Sequence, residues 1–132
     1  MLARFLGAAA IMLLATGQAL AATPYDAKAF MADQEAGKPV LIHVTAPWCP
    51  TCVKQKPTVS AIESEKPHLA VFEVDFDSRK DVLKQFGVSS LSTLSGFKGK
   101  QELGRSTGET DPVKIRALIE KSFPMDGMKK GM

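Results

Sequence analysis

Two cysteines, Cys49 and Cys52, are the residues of this 132-residue chain that most directly offer chemistry. They are its only cysteines, and two residues separate them. Two thiols one helical turn apart can close a disulfide, and a thiol at the N-terminus of a helix is held as a reactive thiolate. The pair therefore predicts a reversibly oxidised dithiol, with an exposed Cys49 as the nucleophile and a buried Cys52 as the thiol that resolves the mixed disulfide.

The N-terminal segment predicts export. Arg4 supplies a positive charge, residues 5–14 form an apolar run, and Ala19-Leu20-Ala21 is a small-x-small cleavage site, which together are typical of a secretory signal peptide. We expect a cleaved signal peptide over residues 1–21 and a periplasmic location, with cleavage after Ala22 or an uncleaved anchor as the alternatives. Residues 22–124 are then one domain and residues 125–132 a flexible tail.

The overall charge and the cysteine spacing exclude other classes of function. A formal net charge of +3 indicates neither a nucleic acid nor an acidic surface as partner. Exported proteins commonly use cysteines in structural disulfides. A bridge between positions 49 and 52 closes almost no loop and would stabilise the fold very little, so the spacing favours a working dithiol.

Apolar periodicity and turn residues predict helices and strands that alternate early in the chain and end in a hairpin. We expect helices over residues 26–36 and 49–66, a short helix capped by Asp77 or Ser78, and a last helix from Pro112 with Val113 on its apolar side. We expect strands over 40–46, 69–76, 93–98 and 102–106. Early strand–helix alternation and a late hairpin predict an α/β fold, with a mixed sheet of about four strands and helices on both faces.

The order of these features resembles the thioredoxin superfamily over nearly all of the chain after residue 21. The motif Trp48-Cys49-Pro50-Thr51-Cys52 lies between a strand and a helix, and Pro57 matches the proline that kinks this helix in the family. Residues 86–88 and 93–94 match the segments around the family's cis-proline loop, and Gly99 matches its hairpin turn. The resemblance implies a thioredoxin fold and thiol–disulfide exchange with protein thiols and disulfides, with the Cys49–Cys52 disulfide as the redox group and no other cofactor.

Ser92 occupies the position where the family has its cis-proline. The resemblance implies a substrate-binding surface around it, made of Trp48, Pro50, Thr51, Leu91, Ser92 and Thr93. A cis bond before a residue other than proline costs about 2.5–4 kcal/mol, so we expect the Leu91–Ser92 bond to be trans. Two hypotheses follow for the serine hydroxyl: it prolongs the mixed disulfide, or it admits a metal ion that proline would exclude.

His43 and Glu73 are the other departures from the family pattern. The family commonly has a buried acid at the position of His43, which accepts the proton of the second cysteine, and a lysine at the position of Glu73. We expect a hydrogen bond between His43 and Glu73, with His43 relaying the proton of Cys52. The alternative is a core histidine that has only a structural role.

Three functions remain open on the sequence. The first is an oxidoreductase on the reducing or exchange side, kept reduced by a membrane electron donor and monomeric. Its Pro50-Thr51 pair differs from the Gly-Pro of reducing thioredoxins and from the Pro-His of strongly oxidising relatives. The second is a binding protein for a soft metal ion such as Cu(I) or zinc, which suits thiolates but lacks an obvious third ligand. The third is a redox-inactive adaptor.

Overall fold

The computed structural model describes residues 22–123, so the expected signal peptide and the expected tail lie outside the described residues. Its elements follow in chain order: β1 (Thr23–Pro24), α1 (Ala27–Glu35), β2 (Pro39–Thr45), α2 (Pro50–Glu65), β3 (Ala70–Asp75), α3 (Lys80–Phe86), β4 (Thr93–Lys98), β5 (Gln101–Thr107) and α4 (Pro112–Glu120). Within this part of the chain, none of the helices combines the length and the apolar content that a membrane span needs.

The five strands form one sheet in the order β1-β3-β2-β4-β5. Strands β1 and β2 both pair with β3 in parallel, whereas β2 with β4 and β4 with β5 pair antiparallel. The predicted mixed sheet is therefore confirmed. The strand that the sequence missed is β1, which is two residues long and so has no apolar alternation to detect.

Strand β2 lies at the centre of the sheet, and every one of its residues is buried. Alternate residues of a strand point to opposite faces. Val40, Ile42 and Val44 accordingly pack into a core rich in aromatic rings, whereas Leu41 packs into a second core with residues of α2 and α4. His43 shares the parity of Leu41, so the fold directs its side chain to the face covered by α2.

The helix starts are partly as predicted. Asp111 caps α4, because its Oδ1 accepts the Val113 N–H at 2.9 Å. The prediction that Asp77 or Ser78 caps α3 is wrong, because the cap residue is Arg79, which makes no side-chain capping bond. Asp77 and Ser78 belong instead to a tight turn in which both backbone N–H groups donate to Asp75 Oδ1.

The apolar side of α4 is narrower than predicted. Ile115, Leu118 and Ile119 are buried against the sheet, but Val113 is 74 % exposed. Ile115, Leu118 and Ile119 follow helical spacing on one face, whereas Val113 lies two residues before Ile115 and so on another face of the helix. The prediction that Val113 faces the core is therefore wrong.

Candidate active site

Cys49 and Cys52 form a disulfide at the N-terminus of α2. Cys49 is the cap residue, and its Sγ accepts the backbone N–H of Cys52 at 3.2 Å. Pro50 takes the first helical position, where a missing N–H costs nothing. The free N–H groups and the positive end of the helix dipole stabilise negative charge on Cys49 once the disulfide is reduced.

Both cysteines are buried in the disulfide form. Cys49 is 3 % exposed and Cys52 is fully buried, and both pack against Ala46, Phe76 and Leu91. The prediction of a solvent-exposed Cys49 is wrong for this oxidised state, because the residue is packed in a cluster with Ala46, Phe76 and Leu91. The hydrophobic surroundings leave few polar atoms near the pair.

The surface around the disulfide is made of residues that the resemblance assigned to substrate binding. Trp48 is 59 % exposed, and its indole Nε1–H donates to Asp77 Oδ2 at 2.6 Å. Pro50 is also exposed, and Thr51 and Leu91 are half-buried. Of the set, Leu91 packs on the cysteines and Ser92 contacts both sulfurs, whereas Thr93 is buried and its hydroxyl is bonded to that of Thr107.

Ser92 contacts both sulfur atoms. Its Oγ lies 3.2 Å from Cys49 Sγ and 3.2 Å from Cys52 Sγ. The described residues contain no cis peptide bond, so the predicted trans Leu91–Ser92 bond is confirmed. The unfavourable geometry at this position is instead a positive φ. Ser92 has a φ of 59° and is the non-glycine residue with a positive φ in the described chain.

His43 is buried, and its ring is bonded to Gln55 rather than to Glu73. The His43 Nε2 and Gln55 Oε1 atoms are 2.8 Å apart. Glu73 does lie opposite His43 in the register of β2 and β3, yet its side chain points to a cavity beside the ring. The predicted His43–Glu73 hydrogen bond is therefore wrong, because Gln55 on α2 reaches the ring from the face to which β2 directs it.

Gln55 is the site residue that sequence reasoning missed. It is fully buried, and its Nε2 donates to the backbone oxygens of Ser92 at 3.0 Å and Glu109 at 2.8 Å. A signal for it exists, because Gln55 shares the core-facing side of α2 with Cys52, Val59 and Ile62 at helical spacing. A glutamine at such a position needs hydrogen-bond partners inside the protein.

The bonds of Gln55 fix the tautomer of His43. Carbonyl oxygens only accept, so the amide nitrogen of Gln55 must face Ser92 and Glu109, and its Oε1 must face the imidazole. The His43 Nε2 atom therefore carries a proton and donates it to Gln55. Burial lowers the pKa of His43, while the hydrogen bond to Gln55 and the charge of Glu73 partly oppose this effect. The ring is thus neutral near pH 7, with Nδ1 as its free acceptor.

A cavity of about 190 Å³ lies beside His43. Its ionisable lining consists of His43, Lys56, Glu63 and Glu73. Burial, and secondly the charge of Glu73, raise the pKa of the Glu63 carboxyl. The cavity is large enough for several water molecules and has polar groups to hold them.

The described residues contain no cluster of three or more His, Cys, Asp or Glu side chains that could hold a metal ion. The soft-metal interpretation therefore gains no further ligand from residues 22–123. The Ser92 hydroxyl contacts both sulfurs, but its hard oxygen is a poor ligand for a soft metal ion.

Comparison with known proteins decides the family. The family model described as thioredoxin matches residues 21–121. The chain belongs to the thioredoxin family. It is 39 % identical over 90 residues to a thioredoxin of Chlamydia trachomatis, covering 68 % of this chain and 88 % of the relative.

Two other similarities agree with this assignment. A protein disulfide-isomerase, erp38 of Neurospora crassa, is 36 % identical over 102 residues, which are 74 % of this chain and 28 % of that protein. The crystal structure of Trxlp from Edwardsiella tarda superposes with a TM-score of 0.72 at 39 % identity, covering 75 % of this chain and 98 % of that chain.

Family membership and the disulfide together establish the activity. Cys49 and Cys52 occupy the two cysteine positions of the CXXC motif and are bonded to each other. The protein is a thiol–disulfide oxidoreductase that acts on protein thiols and disulfides, by disulfide reduction or thiol–disulfide exchange.

Proposed function

We propose that the protein is an exported, monomeric thioredoxin that works on the reducing or exchange side and receives electrons from a membrane donor. The observation that carries the direction is the make-up of the site. Neither Pro50 nor Thr51 is ionisable, and apart from the neutral Ser92 hydroxyl the side chains packed on the two sulfurs are apolar. A strong oxidant requires strong stabilisation of the thiolate, for example by a histidine between the cysteines, and neither Pro50 nor Thr51 supplies an imidazole.

The reaction follows from the positions of the two sulfurs. The Cys49 thiolate attacks one sulfur of a substrate disulfide and displaces the other substrate sulfur as a thiolate, which gives a mixed disulfide. Cys52 then loses its proton and attacks Cys49 Sγ. The Cys49–Cys52 disulfide forms, the second substrate sulfur leaves as a thiolate, and two electrons have passed to the substrate. A membrane dithiol returns two electrons to the protein by the same exchange in reverse.

His43 serves this reaction as the acceptor of the Cys52 proton. Its neutral ring has Nδ1 free, because Nε2–H is engaged with Gln55. The cavity beside the ring offers a route by which the proton reaches solvent, past Lys56, Glu63 and Glu73. In this role Glu73 is a member of the cavity wall and acts on His43 through its charge rather than through a hydrogen bond.

The reduction potential, measured by equilibration with glutathione, tests the direction of electron flow. We expect a value closer to that of reducing thioredoxins, at about −270 mV, than to that of strong periplasmic oxidants, at about −120 mV. The Thr51→His variant is the matched control, because an imidazole between the cysteines should raise the potential. A wild-type value near the oxidants would overturn the proposed direction.

Export is tested by the N-terminus of the mature protein. The full chain expressed in a bacterium with a periplasm should be recovered from that compartment with Ala22 as its first residue. Recovery of the chain from the cytoplasm with residues 1–21 intact would contradict both the export and the membrane donor.

A further inference from the structure

The backbone of Ser92 makes three hydrogen bonds, one through its N–H and two through its carbonyl oxygen. The Ser92 N–H donates to Val44 O at 3.0 Å, and Ser92 O accepts the Gly108 N–H at 3.0 Å and the Gln55 amide at 3.0 Å. Proline could not take this place, since it has no N–H to give Val44 and cannot adopt a φ of 59°. The loop is therefore built around a residue that has an N–H to donate and a left-handed backbone.

These three anchors place one hydroxyl between two sulfurs. Ser92 is 4 % exposed, and its Oγ is equally far, at 3.2 Å, from Cys49 Sγ and Cys52 Sγ. The other side chains that pack on the sulfurs, Ala46, Phe76 and Leu91, have no polar atoms. Within the described residues, the hydroxyl is thus the polar side-chain group available to the dithiol.

A serine hydroxyl has one proton to donate and two lone pairs to accept with. In the reduced protein, one sulfur is a thiolate, which only accepts, and the other is a thiol, which can donate. We propose that the Ser92 hydroxyl donates a hydrogen bond to the Cys49 thiolate while it accepts the S–H of Cys52, and that Gln55 is the positioning residue that holds it there. This inference deepens the proposed function, because it concerns the same dithiol.

The hydrogen-bonded chain selects which sulfur carries the charge. The helix N-terminus already favours the thiolate at Cys49. With its proton directed to Cys49, the hydroxyl turns a lone pair to Cys52 and favours the protonated form there. The ionisable groups that reach this network are His43, through Gln55, and the cavity residues Lys56, Glu63 and Glu73.

The thiolate absorbance of the reduced protein, followed as a function of pH, tests the proposal without any substrate. A hydrogen bond to the charged form lowers a pKa, so its loss raises it. We expect Ser92→Gly and Ser92→Ala each to raise the titration midpoint of Cys49 by about one unit. Glycine matters here because it accepts the left-handed backbone that alanine resists, so it removes the hydroxyl without adding strain.

The control is Ser122→Ala, which removes another buried serine hydroxyl, at the end of α4, that has no hydrogen-bond partner in the described structure. It should leave the Cys49 midpoint unchanged. Equal midpoints in wild type, Ser92→Gly and Ser92→Ala would overturn the role of the hydroxyl. A shift in Ser92→Ala but none in Ser92→Gly would also overturn it, because the backbone would then be the cause.

The Gln55→Met variant tests the positioning role. It keeps the length of the side chain but loses the bonds to Ser92, Glu109 and His43. We expect the Cys49 midpoint to rise, by less than in Ser92→Gly, with circular dichroism confirming a folded protein. A wild-type midpoint in folded Gln55→Met would overturn the role of Gln55. Insulin reduction that fails while these midpoints shift as expected would count against the proposed function and not against this inference.

Discussion

Gln55 joins residues that are far apart in the sequence. Its one amide contacts His43 on β2, the Ser92 loop and the backbone of Glu109. Each buried polar group left without its partner would lower the stability of the fold by about 1–3 kcal/mol. The three contacts of Gln55 therefore favour the same arrangement of His43, Ser92 and Glu109. The family's buried acid and cis-proline are thus replaced here by a neutral network of hydrogen bonds.

His43 is expected to give the reduction rate its dependence on pH. Only the neutral ring accepts a proton, and burial lowers the pKa of His43, so the neutral form persists to a pH below its usual value of about 6.5. Protonation of His43 should therefore slow insulin reduction by the wild type at a pH below about 6.5, in addition to the fall that protonation of the Cys49 thiolate causes. His43→Gln keeps a donor for Gln55 but cannot titrate, so it should be slower at pH 7 and should lose the part of the fall in acid that His43 causes, keeping the part that Cys49 causes.

The matched control for this rate measurement is a variant of the solvated histidine, His68→Gln, because His68 is exposed. It should retain the wild-type profile. If His43→Gln had the same rate and the same pH profile as the wild type, His43 would be a structural residue and the proton relay would be refuted.

At the level of single residues, the sequence predicted the chemistry but not the contacts. Cys49 and Cys52 were identifiable because their spacing is itself the signal. The partner of His43 was not, because Glu73 was paired with it from the family resemblance, and even the observed strand register brings the two backbones together without fixing where the side chains point. The contact of Ser92 with both sulfurs depends on a left-handed backbone that nothing in the local sequence announces.

The sequence predicted the start of α4 correctly, and the contribution of its Asp111 cap to stability can be measured. Asp111→Ala should destabilise the protein by about 1 kcal/mol in urea unfolding, because the Val113 N–H loses its acceptor. Asp111→Asn is the control, since its side chain also caps helices well, and should cost much less. Equal stability of Asp111→Ala and the wild type would show that the cap contributes nothing.

Elements with a strong internal pattern were predicted within a residue or two, and elements set by their neighbours were not. Strand β2 was evident as a continuous apolar run, and β4 was found at its observed bounds, 93–98. Strand β1 exists because Thr23 and Pro24 pair with β3, which is a tertiary contact. The start of α3 was misplaced because the N–H groups of Asp77 and Ser78 are bonded to Asp75 in a turn that precedes the helix.

The whole molecule brings the site together at one end of the sheet. The parallel pair β2 and β3 and the antiparallel pair β2 and β4 leave β2 buried between them, so its C-terminal end leads straight into Cys49. The loop before β4 returns to the same end and delivers Ser92, whose N–H pairs with Val44 of β2. The fold, rather than any local segment, thus sets the distance between the hydroxyl and the sulfurs.

Whether Cys49 is the nucleophile is tested most directly by alkylation. The reduced, folded protein reacts with a thiol-alkylating reagent at pH 7, and the modified cysteines are identified by peptide mass spectrometry. We predict that Cys49 is modified at least about ten times faster than Cys52, because the helix N-terminus stabilises its thiolate. Cys49→Ser should abolish insulin reduction. If both sulfurs stayed unmodified in the folded protein, or if Cys52 reacted first, Cys49 would not be the nucleophile, which would contradict the proposed reaction.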